Sequence, residues 1–287
     1  MEKKSIQRKP DQDIIWHFTQ IETLPKILSS TGGGLLSSHI RFLEDDSDGE
    51  ICRSIAEEAG ELLFYLINKT KVGNNEQAIA RIRQLSNLGI KLSMFVSCFC
   101  KEIESPFMWR VYTRAGGCAI GFQKNKLIDN LIRSPSTFIN SGDCRYTENI
   151  EKEKQVFDEV KKNTLGLLYA RLAFRAENDS EEKAWADNLI ALHQLALEAA
   201  LVKKRFFQDE KEFRIVQSPL LPDGLKELSW IDGKPRLPLK TKIPIAEMVE
   251  EIVVSPLVNM KQNLNTALLV AEAAGLDCRN IRVFSPS

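Results

Sequence analysis

The sequence predicts an α+β fold: a mixed, mainly antiparallel central sheet with flanking helices and a helical insertion. Three observations carry this. Short runs rich in β-branched and aromatic residues recur along the chain, among them "DIIWHFT", "KLSMFVSCF", "EFRIVQ" and "EEIVVSP". Such runs, bounded by turn residues, read as strands. Helical patterns fall between them in pairs rather than in strict βαβ alternation, which argues against an all-parallel sheet. Residues 150–204 read as helix almost throughout, broken near "ENDSEE". With no internal repeat or low-complexity tract, residues 1–287 are expected to form one domain carrying 150–204 as the insertion.

Element by element, Asp13 to Thr19 is the first strand, with Ile15, His17 and Thr19 on one face and Ile14, Trp16 and Phe18 on the other. A helix follows; Pro25 must lie in its first turn, so Thr23 is its expected cap. "TGGG" is a turn, "LLSSHI" a strand and "EDDSDGE" an acidic loop, followed by helices near 50–68 and 75–88. After "KLSMFVSCF", Ser105 and Pro106 form an N-cap and first-turn pair for a helix through Arg114, ended by Gly116 and Gly117. "CAIGF", "GDCRY" and "EFRIVQ" are strands, and the prolines of "KPRLPLKTKIP" suggest an edge. "EEIVVSP", a helix over 259–274 and "RNIRVF" complete the chain.

The 287 residues are 43% hydrophobic and 27% charged, with 39 Lys+Arg against 39 Asp+Glu. Zero net charge gives no drive for general nucleic-acid binding. The polar start "MEKKSIQRKPDQD" lacks a signal-peptide core, and Leu189–Val202 is interrupted by His193, Gln194 and Glu198. A cytoplasmic protein without membrane contact is expected, its six cysteines reduced.

Among candidate sites, Cys98, Cys100, Cys118 and Cys144 could supply thiolates, but C-x-C without a second knuckle makes buried core the stronger reading and no metal is expected. Neither "TGGG" nor "RAGGCAIG" has a phosphate-loop pattern. The acidic loop with Asp45, Asp46 and Glu50 lacks calcium-loop spacing. In "FMWRVY", Trp109 and Tyr112 share a helical side; they suit either core packing or an aromatic wall for a flat ligand. In "DEKEFRIV", a strand would put Glu210, Glu212 and Arg214 on one face, either as a solvent-facing ion-paired edge or as carboxylates in a cleft. Such a carboxylate stabilises an oxocarbenium-like transition state. His17 beside Thr19 is either a hydrogen-bonded core histidine or a ligand-orienting donor.

Five blocks in order resemble a bacterial family, the domain of unknown function numbered twenty-nine seventy-one: "IWHFT", "LLSSHIRFLEDDSDGE", "SCFCKEIESPFMWRVYTRAGGCAIGF", "VKKRFFQDEKEFRIV" and "EEIVVSP". The third matches its Cys-Phe-Ser, Met-Trp…Tyr and Gly-x-x-x-Gly-Phe pattern, and the fourth its Lys…Glu-x-Glu-x-Arg strand. Glu44, Cys100 and Ser255 depart from the family's asparagine, serine and glycine. The family implies a fold and no activity. The order His17, Ser37 or Ser38, Glu210-x-Glu212 is also similar to that of ADP-ribosyltransferases. That analogy implies NAD as co-substrate, with no permanently bound cofactor, and an unspecified macromolecular acceptor. His17 would hold the ribose or nicotinamide amide, with Ser37 and Ser38 nearby. Trp109 or Tyr112 would stack, Glu212 would stabilise the departing positive charge, Glu210 would orient the acceptor, and Arg214 would keep the carboxylates ionised. The alternative is a non-catalytic ligand-binding or protein-interaction module. The transferase reading requires His17 and Glu212 to line one cleft.

Overall fold

The computed structural model describes residues 13–29, 34–43, 94–114, 116–133, 137–173, 194–219 and 227–285. The acidic loop, residues 31–33 of "TGGG" and the helices expected near 50–68 and 75–88 lie outside them. The described strands are β1 (Ile14–Thr19), β2 (Leu36–His39), β3 (Phe95–Cys100), β4 (Cys118–Gln123), β5 (Thr137–Asp143), β6 (Arg145–Thr147), β7 (Val202–Lys204), β8 (Glu212–Pro219), β9 (Ser229–Ile231), β10 (Lys234–Pro238), β11 (Val249–Val254) and β12 (Ile281–Val283). The α-helices are α1 (Leu24–Leu28), α2 (Pro106–Val111), α3 (Lys124–Asp129), α4 (Ile150–Ala173) and α5 (Met260–Ala273), with a further helical stretch at 194–199. The architecture is α+β with a mixed, mainly antiparallel sheet.

The sheet branches at β3. Strand β8 pairs with it antiparallel from Phe95↔Gln217 to Cys100↔Glu212, filling one edge. On the other edge, β2 pairs at Val96 and Phe95, and β1 only at Trp16↔Cys100. From there the order runs β1-β4-β11-β12 on one arm and β2-β10-β9 on the other. Among the described strands of this sheet only β11–β12 is a parallel pair; β6 and β7 form a separate parallel pair.

Residues directly across a ladder share a face, and successive residues alternate. Ile15, Phe99, Ile120, Phe213, Ile215 and Ile252 therefore form the first face, closed by Leu24, Ile27 and Leu28 of α1 and by Ala267 and Ala271 of α5. The second face has two clusters. Val96 and Val216 pack with Phe157 of α4 and with Ala196, Ala200 and Val202. Trp16, Phe18 and Cys100 pack with Met108 and Trp109 of α2.

Local chemistry accounts for the element ends. Ser105 caps α2, its hydroxyl accepting from the Met108 amide, and Pro106 follows in the first turn. Ser105→Ala is expected to cost about 1 kcal/mol, read by urea unfolding. Thr23 does occupy the cap position of α1, without a side-chain bond. Asp232 and Gly233 have φ of 51° and 71°, the twist of a two-residue hairpin turn joining β9 to β10.

Three expectations are corrected. "EFRIVQ" is no solvent-facing edge: β8 lies between β3 and β5, with all eight residues buried. The proline-rich β10 lies inside its arm, between β2 and β9; Pro235 and Pro238 sit near its ends. "GDCRY" is divided at Cys144 between the end of β5 and the start of β6.

Candidate functional site

The residues of "VKKRFFQDEKEFRIV" assemble a buried ionic network. Glu210 ends a 3₁₀ turn (Arg205–Glu210), Lys211 takes a left-handed φ of 42°, and β8 begins at Glu212. Glu210 is thus not on the strand with Glu212, as simple alternation predicts; the turn brings it back beside it. Lys203 of β7 joins the two. Its Nζ donates to Glu210 Oε2 at 2.5 Å and to Glu212 Oε2 at 3.0 Å. Arg214 Nε and Nη2 donate to the two Glu212 oxygens at 2.9 and 3.1 Å, and Nη1 donates to the Ala200 carbonyl at 2.8 Å. Relative exposures are 5% for Lys203, 3% for Glu210 and Glu212, and 0% for Arg214. Two cations against two carboxylates leave no net charge, which is what burial demands.

Uncharged groups complete the shell. Tyr112, the C-terminal cap of α2, donates to Glu210 Oε1 at 3.4 Å, and the Glu212 amide donates to Tyr146 Oη at 2.7 Å. The Cys98 thiol bonds the Glu212 carboxylate. Burial, with the Glu212 charge second, pushes this thiol well above its ordinary range, so Cys98 is no thiolate nucleophile at neutral pH. For Glu212, burial pushes the carboxyl up. Arg214 and then Lys203 outweigh it and hold the group at about 2, against an ordinary 4.5.

A depressed carboxylate stabilises the fold at pH above its unfolded value and loses that contribution as pH falls through its folded value. Stability is therefore expected to drop by roughly 3 kcal/mol between about pH 4.5 and 2. Urea unfolding across that range measures it. An equally steep fall in Glu212→Gln would assign the loss to other groups.

His17 meets β3 from the other face of the sheet. Trp16 is the β1 residue opposite Cys100, and Cys100 is opposite Glu212, so these three share the second face. His17 is one residue further and pairs with Ile120, on the first face. Its imidazole sits where β1 parts from β3, and its Nδ1–H donates to the Cys98 carbonyl at 3.2 Å in place of ladder pairing. Its ring is 5.8 Å from that of Phe99. Burial lowers its pKa, partly opposed by the Cys98 bond, so the ring is neutral at pH 7.

Ser37 shares the first face. Its hydroxyl is 2.7 Å from Ser97 Oγ and accepts from Gln217 Nε2 at 2.7 Å, a buried polar ladder across β2, β3 and β8. Ser38 pairs with Val96 and points to the other face. Trp109 is core: 6% exposed, packed on Phe18 and Phe284, its indole N–H donating to the Ile103 carbonyl at 2.7 Å. It offers no wall to a ligand. The expected set thus divides. Glu210, Glu212, Arg214 and Tyr112 come together; His17 and Ser37 lie on the opposite face, and Trp109 is enclosed.

Among the described residues, no group of three or more His, Cys, Asp or Glu is placed to hold a metal ion. Cys98 and Cys100 lie on the second face of β3, and Cys118 lies in the first-face core. Sequence reasoning did not single out Lys203, Cys98, Tyr146 or Gln217 for these contacts. Lys203 alone had a signal, as a lysine ahead of the Glu-x-Glu-x-Arg run. No described helix is long and apolar enough to cross a membrane.

Residues 108–215 match the family described as "Protein of unknown function (DUF2971)", the family that the sequence resembles. The match runs from Met108 in α2 to Ile215 in β8 and so spans Tyr112, Tyr146, Lys203, Glu210, Glu212 and Arg214. No curated protein and no solved structure matches the chain.

Proposed function

We propose that this chain is a non-catalytic ligand-binding or protein-interaction module, and that its Glu-x-Glu-x-Arg strand is part of the scaffold. One observation carries the reading. His17 and Glu212, which an NAD-using transferase needs in one cleft, lie on opposite faces of the same sheet. The chemistry argues the same way. A carboxylate that is to stabilise a departing nicotinamide must face the reacting ribose. Glu212 has both oxygens committed to Arg214 and Lys203, and it is 3% exposed.

The test is release of nicotinamide from NAD by the purified protein, with a cell extract supplying acceptors. The expected result is no release above that of the extract alone, in wild type and Glu212→Gln alike. Release that is lost in a folded Glu212→Gln protein would reinstate the transferase reading.

A further inference from the structure

Residues 255–259 join β11 to α5 and carry exposed apolar side chains at their tip. Leu257 is 64% exposed and Val258 52%, and Met260 follows them, exposed, at the start of α5. The tip is pinned by its backbone. The Ser255 amide donates to the Gly117 carbonyl at 3.0 Å, and the Asn263 side-chain amide donates to the Gly116 and Val258 carbonyls at 2.6 and 3.0 Å. Asn263 is itself buried, so these apolar side chains are held outward from an anchored base. Val111, the last residue of α2, is also exposed, on the stretch that leads to Gly116.

The charges of the two segments have one sign. Residues 110–117 and 255–262 contain Arg110, Arg114 and Lys261 and no carboxylate. All three cations are exposed, and none forms an ion pair among the described residues. Glu22, whose charge reaches Cys118 at the same end of the sheet, still leaves the cations in excess. The zero net charge of the whole chain hides this excess, because the two segments are far apart in sequence.

Charge and shape together select the occupant. A second copy on a two-fold axis would bring two sets of three cations together. A helix docks where its host offers a groove, whereas consecutive apolar residues at a tip project. We infer that this tip docks on the surface of an anionic phospholipid bilayer. Leu257, Val258 and Met260 enter the acyl boundary, and Arg110, Arg114 and Lys261 lie among the lipid phosphates. Such a contact lies on the membrane and not across it, so it requires no spanning helix.

The experiment sediments the full-length protein at low salt with vesicles of phosphatidylcholine alone or of an equal mixture with phosphatidylglycerol. The expected result is binding to the mixed vesicles only. It weakens about tenfold or more in Leu257→Ser/Val258→Ser and about fivefold in Lys261→Gln. Leu269→Ser, as exposed as Leu257 but further along α5, is the control and is expected to bind as wild type does. Every substituted side chain is exposed, so unfolding midpoints equal to that of the wild type are expected. No binding to the mixed vesicles overturns the inference and leaves the cations to an acidic protein surface. Binding that persists in Leu257→Ser/Val258→Ser overturns it as well, since charge attraction alone would then suffice. So does equal binding to phosphatidylcholine alone, or an equal loss in Leu269→Ser.

Discussion

Lys203→Met destabilises the protein by about 3–5 kcal/mol, while Lys204→Met changes stability by no more than about 0.5 kcal/mol. The two lysines are adjacent in β7 and opposite in environment. Lys203 is 5% exposed and bonds both Glu210 and Glu212; Lys204 is exposed. Without Lys203, the described network keeps two buried carboxylates, Glu210 and Glu212, against one cation, Arg214. The uncompensated charge, rather than the lost attraction, sets the size of the effect. Removing a negative charge as well should therefore recover part of the loss. Lys203→Met/Glu210→Met, which keeps the Glu212–Arg214 pair, is expected to be more stable than Lys203→Met. Guanidinium unfolding of the three variants checks this. Equal, small effects at 203 and 204 would mean that the network is solvated.

Gly117→Ala is expected to cost roughly 3 kcal/mol or more, or to prevent soluble folding. A Cβ at Gly117 would stand 2.1 Å from the Thr19 carbonyl oxygen and 3.0 Å from Thr113 Cβ. The first neighbour is backbone and cannot rotate away. Strand β1 would have to withdraw from β4, whose ladder begins at Thr19↔Cys118. Gly116→Ala is the control, since its nearest neighbour would be Val258 at 3.6 Å, ordinary contact. Its effect is expected to stay below about 1 kcal/mol. Thermal unfolding separates the two variants.

The two glycines show what was legible in the sequence. Their position after a helix reads correctly as a break, but α2 ends at Val111, before they are reached. What makes Gly117 irreplaceable is a long-range approach by β1, which no local pattern encodes. Strands β1, β3, β4, β8 and β11 were legible because β-branched and aromatic runs mark them. The cap at Ser105 was legible because its chemistry is local. Strand β5, "TFINSGD", was not, since its polar residues sit on a half-buried strand. The Asp232-Gly233 hairpin turn had a recognisable signal that the proline-rich stretch beside it obscured.

For the candidate site, alternation placed His17 on the face of Ile15 and placed Glu212 with Arg214, and both statements hold. The relation between the two faces depends on register across β1, β3 and β8, which is set by strand pairing between residues far apart in sequence. The same limit hid Lys203, whose two partners are reached through a turn rather than along a strand.

His17 and Glu212 face opposite sides of the sheet, with Cys98 between them, and are not expected to hold one ligand. Thermal unfolding with and without millimolar NAD tests this directly, in wild type, His17→Ala and Glu212→Gln. A ligand at about 100 times its dissociation constant adds about 2.7 kcal/mol, so a shared site would be plain to see. The structure predicts that whatever shift NAD produces in the wild type persists unchanged in both variants. A shift present in the wild type and abolished in each variant would place both residues on one ligand, and would contradict the account.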